Sequence, residues 1–166
     1  HMKVVNALLS RKEIQINQPM NDGTTPLFIA CQEDRVKVVN TLLARKEIQI
    51  NQADNRGATP LLIACQINHL KVVIALLARK EIQINQADKD GYTPLFVACQ
   101  EEKHVKVVNV LLARKEIQIN QATNDGRTSL YMACGEGHVK VVNALLSRKE
   151  IQINQATNDG RTSLYM

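Results

Sequence analysis

The heptapeptide KEIQINQ occurs five times in this 166-residue chain, beginning at Lys12, Lys46, Lys80, Lys115 and Lys149. The steps between copies are 34, 34, 35 and 34 residues. A period of that size marks a stacked array, in which each unit buries its apolar face only against its neighbours. Such an array offers a long open surface rather than a closed, dry pocket. The first functional expectation is therefore binding rather than chemistry.

The period sets the organisation: a single quasi-linear domain over residues 1–166. It comprises a half repeat (1–19), repeats 20–53, 54–87, 88–122 and 123–156, and a partial repeat (157–166). With no Trp, 2 Phe and 3 Tyr, the core must be built from Leu, Ile, Val and Ala. The longest apolar runs are about five residues, such as 61–65, against the roughly 20 that a membrane-spanning helix needs. No basic-then-apolar signal segment opens the sequence. His1-Met2 resembles a cloning remnant, although His138-Val139 precedes the same KVVNALLSRKEIQINQ run, so both origins stay open.

Cys31, Cys65, Cys99 and Cys134 occupy one equivalent position each. Stacked units about 10 Å apart hold equivalent cysteines beyond the roughly 7 Å between Cα atoms that a disulfide tolerates. No CxxC or Cys/His spacing suggests zinc, and no metal or other cofactor is expected. The cysteines read as small buried hydrophobes. Reduced thiols suit a cytoplasmic or nuclear setting.

One unit can be read residue by residue. Asn55-Arg56-Gly57 is a turn signal. Thr59 is a good N-cap and Pro60 suits the first helical position. LLIAC then forms a short helix, apolar on most sides, and residues 66–69 break it. A second helix is expected over about 70–78, with Leu70, Val73 and Leu77 at helical spacing and Val72 and Leu76 beside them. Arg79-Lys80 is placed in its last turn, against the negative end of the helix dipole. Residues 81–85 alternate polar and apolar, which predicts an extended link.

Turn, helix, loop, helix and link together resemble the ankyrin repeat. The G-x-TPL-x-x-A signature appears from Gly23 to Ala30, Gly57 to Ala64 and Gly91 to Ala98, and from Gly126 to Ala133 with Ser129 in place of Pro. The second-helix VV-x-x-LL recurs at Val38, Val72, Val107 and Val141. The resemblance implies an all-α solenoid of helix-loop-helix units joined by β-turn fingers. The sequence departs from the family in a link one residue longer than usual. Phe28, Leu62, Phe96 and Tyr131 stand where a His is customary. An extra residue near Glu102-Lys103 predicts a local bulge. His69, His104 and His138 share one position, which in the family ties loops together.

No nucleophile motif, phosphate-binding glycine loop or distinctively spaced carboxylate pair is present, so no enzyme activity, catalytic residue or small-molecule substrate is expected. Charge is more informative. The repeating framework holds 15 bases and 5 acids, whereas the variable positions hold 11 acids and 6 bases. The framework bases include Lys3, Lys37, Lys71, Lys106 and Lys140 and fall mostly on the second-helix side. By resemblance the turns and first helices line a groove, and Asp22, Glu33, Asp34, Asp90, Glu101, Asp125 and Glu136 make that side of this chain mildly acidic.

Ankyrin partners contact the turn tips and first-helix ends. By resemblance these are Asn21, Asp22, Thr24, Gln32 and Glu33, then Asn55, Arg56, Ala58, Gln66 and Ile67. Lys89, Asp90, Tyr92, Gln100 and Glu101 follow, then Asn124, Asp125, Arg127, Gly135 and Glu136. Tyr92 reads as the foremost anchor. The leading expectation is a non-enzymatic scaffold that binds a partner protein on this concave face. The competing readings are nucleic-acid or anionic-lipid binding through the basic second-helix face, with nucleic acid disfavoured because stacking aromatics are missing, and an engineered array without a natural ligand. Residues 120–132 and 154–166 are identical, which fits tandem duplication or design alike. The half repeats at the two termini are complementary, so head-to-tail self-association is a further expectation.

Overall fold

The computed structural model describes residues 2–165; His1, discussed above, and Met166 lie outside it. Among the described residues there are nine α-helices and no strands: α1 (Met2–Leu9), α2 (Pro26–Gln32), α3 (Val36–Leu43), α4 (Pro60–Gln66), α5 (Leu70–Leu77), α6 (Pro94–Ala98), α7 (Val105–Leu112), α8 (Ser129–Gly135) and α9 (Val139–Leu146). First helices pack on first helices and second helices on second helices along the array. The core runs between the two rows. Leu61, Val72, Val73 and Leu76 are fully buried in it, as are their equivalents Leu95, Val107, Val108 and Leu111.

The first helices start where the sequence places them. Thr25, Thr59, Thr93 and Thr128 each accept a hydrogen bond from the backbone N–H three residues on, at 3.1 Å, and so satisfy one of the free donors of the first turn. Pro26, Pro60 and Pro94 follow at the position where a missing N–H costs nothing. Each preceding finger closes on itself and on the next. Asp54 N bonds Ala58 O at 2.9 Å, and Lys89 N crosses to Arg56 O at 3.0 Å. Gly57 permits this with φ +87; a Cβ there would lie 3.0 Å from Lys89 N.

Two expectations need correction. The second helix ends at Leu77, with Ala78 as its cap, so Arg79-Lys80 lies beyond the last turn. Nor is the link extended. Ile82 N bonds Arg79 O and Gln86 N bonds Gln83 O, so the chain folds into two successive turns. Ile82 and Ile84 still point inward while Gln83 faces solvent, and it is this burial that their alternation reported.

The extra residue of the third repeat acts as expected. Elsewhere the inter-helix loop passes through one left-handed residue, Asp34, Asn68 or Gly137. In the third repeat the first helix stops early, at Ala98, and a 3-10 turn over Glu102–His104 replaces the left-handed step.

Candidate functional site

The repeated polar residues act mainly between repeats. Asn17, Asn51, Asn85 and Asn120 each reach one unit along. Their Nδ2 donates to Glu47, Glu81, Glu116 and Glu150 O respectively, at 2.7–2.8 Å. Their Oδ1 accepts from the N–H of Gln49, Gln83, Gln118 and Gln152, at 2.8–2.9 Å. One carboxamide thus satisfies two backbone groups of its neighbour.

The arginines of the repeated Arg-Lys-Glu segment reach the other way. Arg45 donates to Leu9 O and Arg114 to Leu77 O, each at 2.9 Å, while Arg79 and Arg148 contact Leu43 O and Leu112 O. Each acceptor is the last residue of the preceding second helix, where carbonyls lack intrahelical partners. The Glu two residues on holds the guanidinium, as Glu116 does Arg114 at 2.7 Å. That bond draws the Glu116 carboxyl below its usual range. These clamps went unrecognised in the sequence, where Arg79 read as a dipole-facing cation. The available signal was strict repetition, which a contact reaching one period away requires.

The histidines divide. His69 Nδ1 lies 3.1 Å from Cys31 O and His138 Nδ1 lies 3.2 Å from Cys99 O, each tying its loop to the preceding repeat. His104, displaced by the extra residue, is buried and its Nδ1 has no partner. Burial, reinforced by nearby Lys103, lowers its pKa. Glu102 supplies another tie, accepting the N–H of Lys140 at 3.2 Å. The cysteines are unbridged. Burial pushes the Cys31 thiol up to about 12, and raises Cys65 and Cys99 as well.

The residues expected at the partner surface separate by exposure. Asn21, Asp22, Gln32, Glu33, Asn55, Arg56, Gln66, Lys89, Asp90, Glu101, Asn124, Asp125, Gly135 and Glu136 are exposed. Ile67, Tyr92, Gln100 and Arg127 are half-buried. Thr24 and Ala58 are withdrawn from that surface, being only 6% and 5% exposed. Both sit at the return of the finger, where the Thr24 hydroxyl bonds Asp22 Oδ1 at 2.7 Å and Ala58 N bonds Asp54 Oδ1 at 2.8 Å. The first two fingers and α2 enclose an open groove of about 490 Å³ lined by Asp22, Phe28, Ile29, Gln32 and Arg56.

Tyr92 is not the free anchor its position suggested. Its ring stacks on Phe96, with centroids 5.0 Å apart and planes 13° from parallel. Arg127 Nη2 donates to its hydroxyl at 3.3 Å, and Arg127 Nε pairs with Asp125 at 2.7 Å. The cluster is a preformed platform across one seam rather than a loose side chain. Asp54 pairs with Arg56, and Glu101 with Lys103. Asp22, Glu33, Asp90 and Glu136 form no ion pair among the described residues, so this side keeps an acidic excess.

Beyond Leu112 and Ile119, which are 6% and 2% exposed, the equivalent Leu146 and Ile153 are 44% and 55% exposed. They present the apolar face that a following unit covers elsewhere in the array. No group of three or more His, Cys, Asp or Glu among the described residues could hold a metal ion. No helix among them is long and apolar enough to cross a membrane.

Models of ankyrin repeats match residues 1–54, 46–123 and 125–158. A search of curated proteins found no match.

Proposed function

The chain belongs to the ankyrin-repeat family, whose repeats are in general protein-interaction modules, and from that premise we propose that it is a non-enzymatic scaffold binding a partner protein across its finger tips and first-helix ends. One observation supports this above the others. The repeated Asn and Arg of the links are spent on seams between units, whereas the position of Asp22, Arg56, Asp90 and Asp125 and that of Glu33, Ile67, Glu101 and Glu136 change between repeats and stand exposed or half-buried at the finger and helix ends. Side chains that vary on a rigid, repeated frame are what selective recognition needs. Their acidic excess favours a partner surface carrying Lys and Arg. A photo-crosslinking residue placed at Gln66 or Asp90 should trap a partner from cell lysate, and the same group at Asn109, on the far side of α7, should not. Trapping at Asn109 alone would move the site off this face.

A second reading has its own support. Leu146 and Ile153 offer a face that accepts a further repeat, of the same chain or of a second copy in head-to-tail contact. For copies of this 166-residue chain, light scattering should show mass rising with concentration. A constant monomer mass would remove contact between copies.

A further inference from the structure

The side of the second helices facing away from the first carries its own pattern. Along α3 and its cap, Lys37, Asn40 and Ala44 form the exposed stripe at spacings of three and four, with Lys46 exposed just beyond. The same places hold Lys71 and Lys80, Lys106 and Lys115, Lys140 and Lys149, and Lys3 and Lys12, all exposed. Between each pair stand only Asn, Ala and Ser at the stripe positions, with Ile74 the one large apolar exception.

None of these ten lysines forms an ion pair among the described residues. Four of the five framework glutamates, Glu47, Glu81, Glu116 and Glu150, are each held by the arginine two residues before. The five Arg and five Glu of the framework balance in number, which leaves an excess that is all lysine. Asp34 and Glu136 border the first row on its loop side, too few to balance it.

The first lysine of each pair stands in the first turn of an eight-residue helix and the second lies just past its end, so the two rows flank a helix roughly 12 Å long. Neighbouring second helices pack at about 8–10 Å, so five rungs extend the array to roughly 35 Å. The charge is spread in two dimensions. We propose that this double lysine ladder is a docking surface for an anionic lipid bilayer, separate from the finger-tip site. Lysine is a compact point charge suited to delocalised attraction by a plane of headgroups. Groove reading of nucleic acid favours the arginine fork, and single strands favour aromatic platforms; here Arg45, Arg79, Arg114 and Arg148 are bound internally and the stripe has no aromatic.

The test is flotation of the whole chain with phosphatidylcholine vesicles, with and without phosphatidylserine. Binding is expected only with phosphatidylserine, and is expected to weaken steeply as salt rises. Each lysine near such a surface contributes about fivefold in affinity, so combined Lys37→Ala, Lys71→Ala, Lys106→Ala and Lys140→Ala should lower binding by several hundredfold. The helical CD signal checks that this variant folds. Asp90→Ala, on the finger of the third repeat, should not weaken vesicle binding. Equal binding to neutral vesicles, or binding untouched by the lysine changes, overturns the proposal. Retardation of duplex DNA without vesicle binding also overturns it, and assigns the ladder to nucleic acid instead.

Discussion

Replacing Arg114 by alanine separates the helix-end clamp from an ordinary surface ion pair. Arg114 Nη1 donates to Leu77 O at 2.9 Å across the seam between the second and third repeats, and its side chain is only 36% exposed. A hydrogen bond from a charged donor contributes about 1.5–3 kcal/mol, and solvent at this site places the estimate toward the middle, about 2 kcal/mol. For a chain of this length that corresponds to a fall of about 4–8 °C in Tm. Glu116→Gln removes only the exposed half of the clamp and should cost well under half as much, because exposed ion pairs contribute little. Arg114→Lys keeps the charge but loses the planar fork and should fall between the two. Thermal unfolding followed by CD, at low and high salt, reads all three. If Glu116→Gln costs as much as Arg114→Ala, or if high salt abolishes the loss, the carbonyl contact is not what the arginine supplies. Hydrogen exchange should place the damage at that one seam, since stability in an array is a sum over neighbouring interfaces.

Three further outcomes follow from the geometry. Cys31, Cys65 and Cys99 should react slowly with a thiol reagent in the native state, Cys134 faster because it is half-exposed, and all four alike in denaturant. The folded Cys31 thiol holds its proton up to about 12, above its unfolded value of 9.0, so its contribution to stability is complete below pH 9 and is lost as pH rises toward 12. Cys31→Ala should reduce that alkaline loss in Tm. Gly57→Ala should cost at least about 2 kcal/mol, from its left-handed φ and the contact with Lys89 N, whereas Gly137→Ala, with open space around it, should cost about 1–2 kcal/mol, measured by urea unfolding. Because the folded His104 imidazole resists protonation, its contribution is present above the unfolded pKa of 6.5 and is lost as pH falls below it. Deleting Glu102 should restore the loop of the other repeats and raise the His104 pKa measured by NMR.

The period, the Thr-Pro helix starts and the inward Val-Leu stripe could be read from the sequence because they arise from contacts within one unit and recur in register. The clamps could not. Arg114 reaches a carbonyl 37 residues away, and no local pattern distinguishes it from a solvated cation. The link misled for a related reason: Ile82 and Ile84 alternate with Gln83, and alternation reports burial without fixing whether the backbone is straight or turned. At the candidate surface, family resemblance located the fingers but not the exposure of each side chain. Thr24 and Ala58 look variable in sequence, yet the return of the finger buries both. Tyr92 stands at the finger's return, but its ring lies on Phe96 and its hydroxyl accepts from Arg127 of the next repeat, contacts that no local pattern shows.

The most direct test of the account is the affinity of a captured partner for two variants measured side by side by calorimetry. One carries Arg56→Ala, Asp90→Ala and Glu136→Ala on the finger and helix ends, and the other carries Lys37→Ala, Lys71→Ala and Lys106→Ala on the outer stripe. The account predicts that the first loses at least tenfold in Kd, about 1.4 kcal/mol, while the second stays within about twofold. The opposite ranking, with both variants folded, would contradict it and place partner recognition on the lysine face.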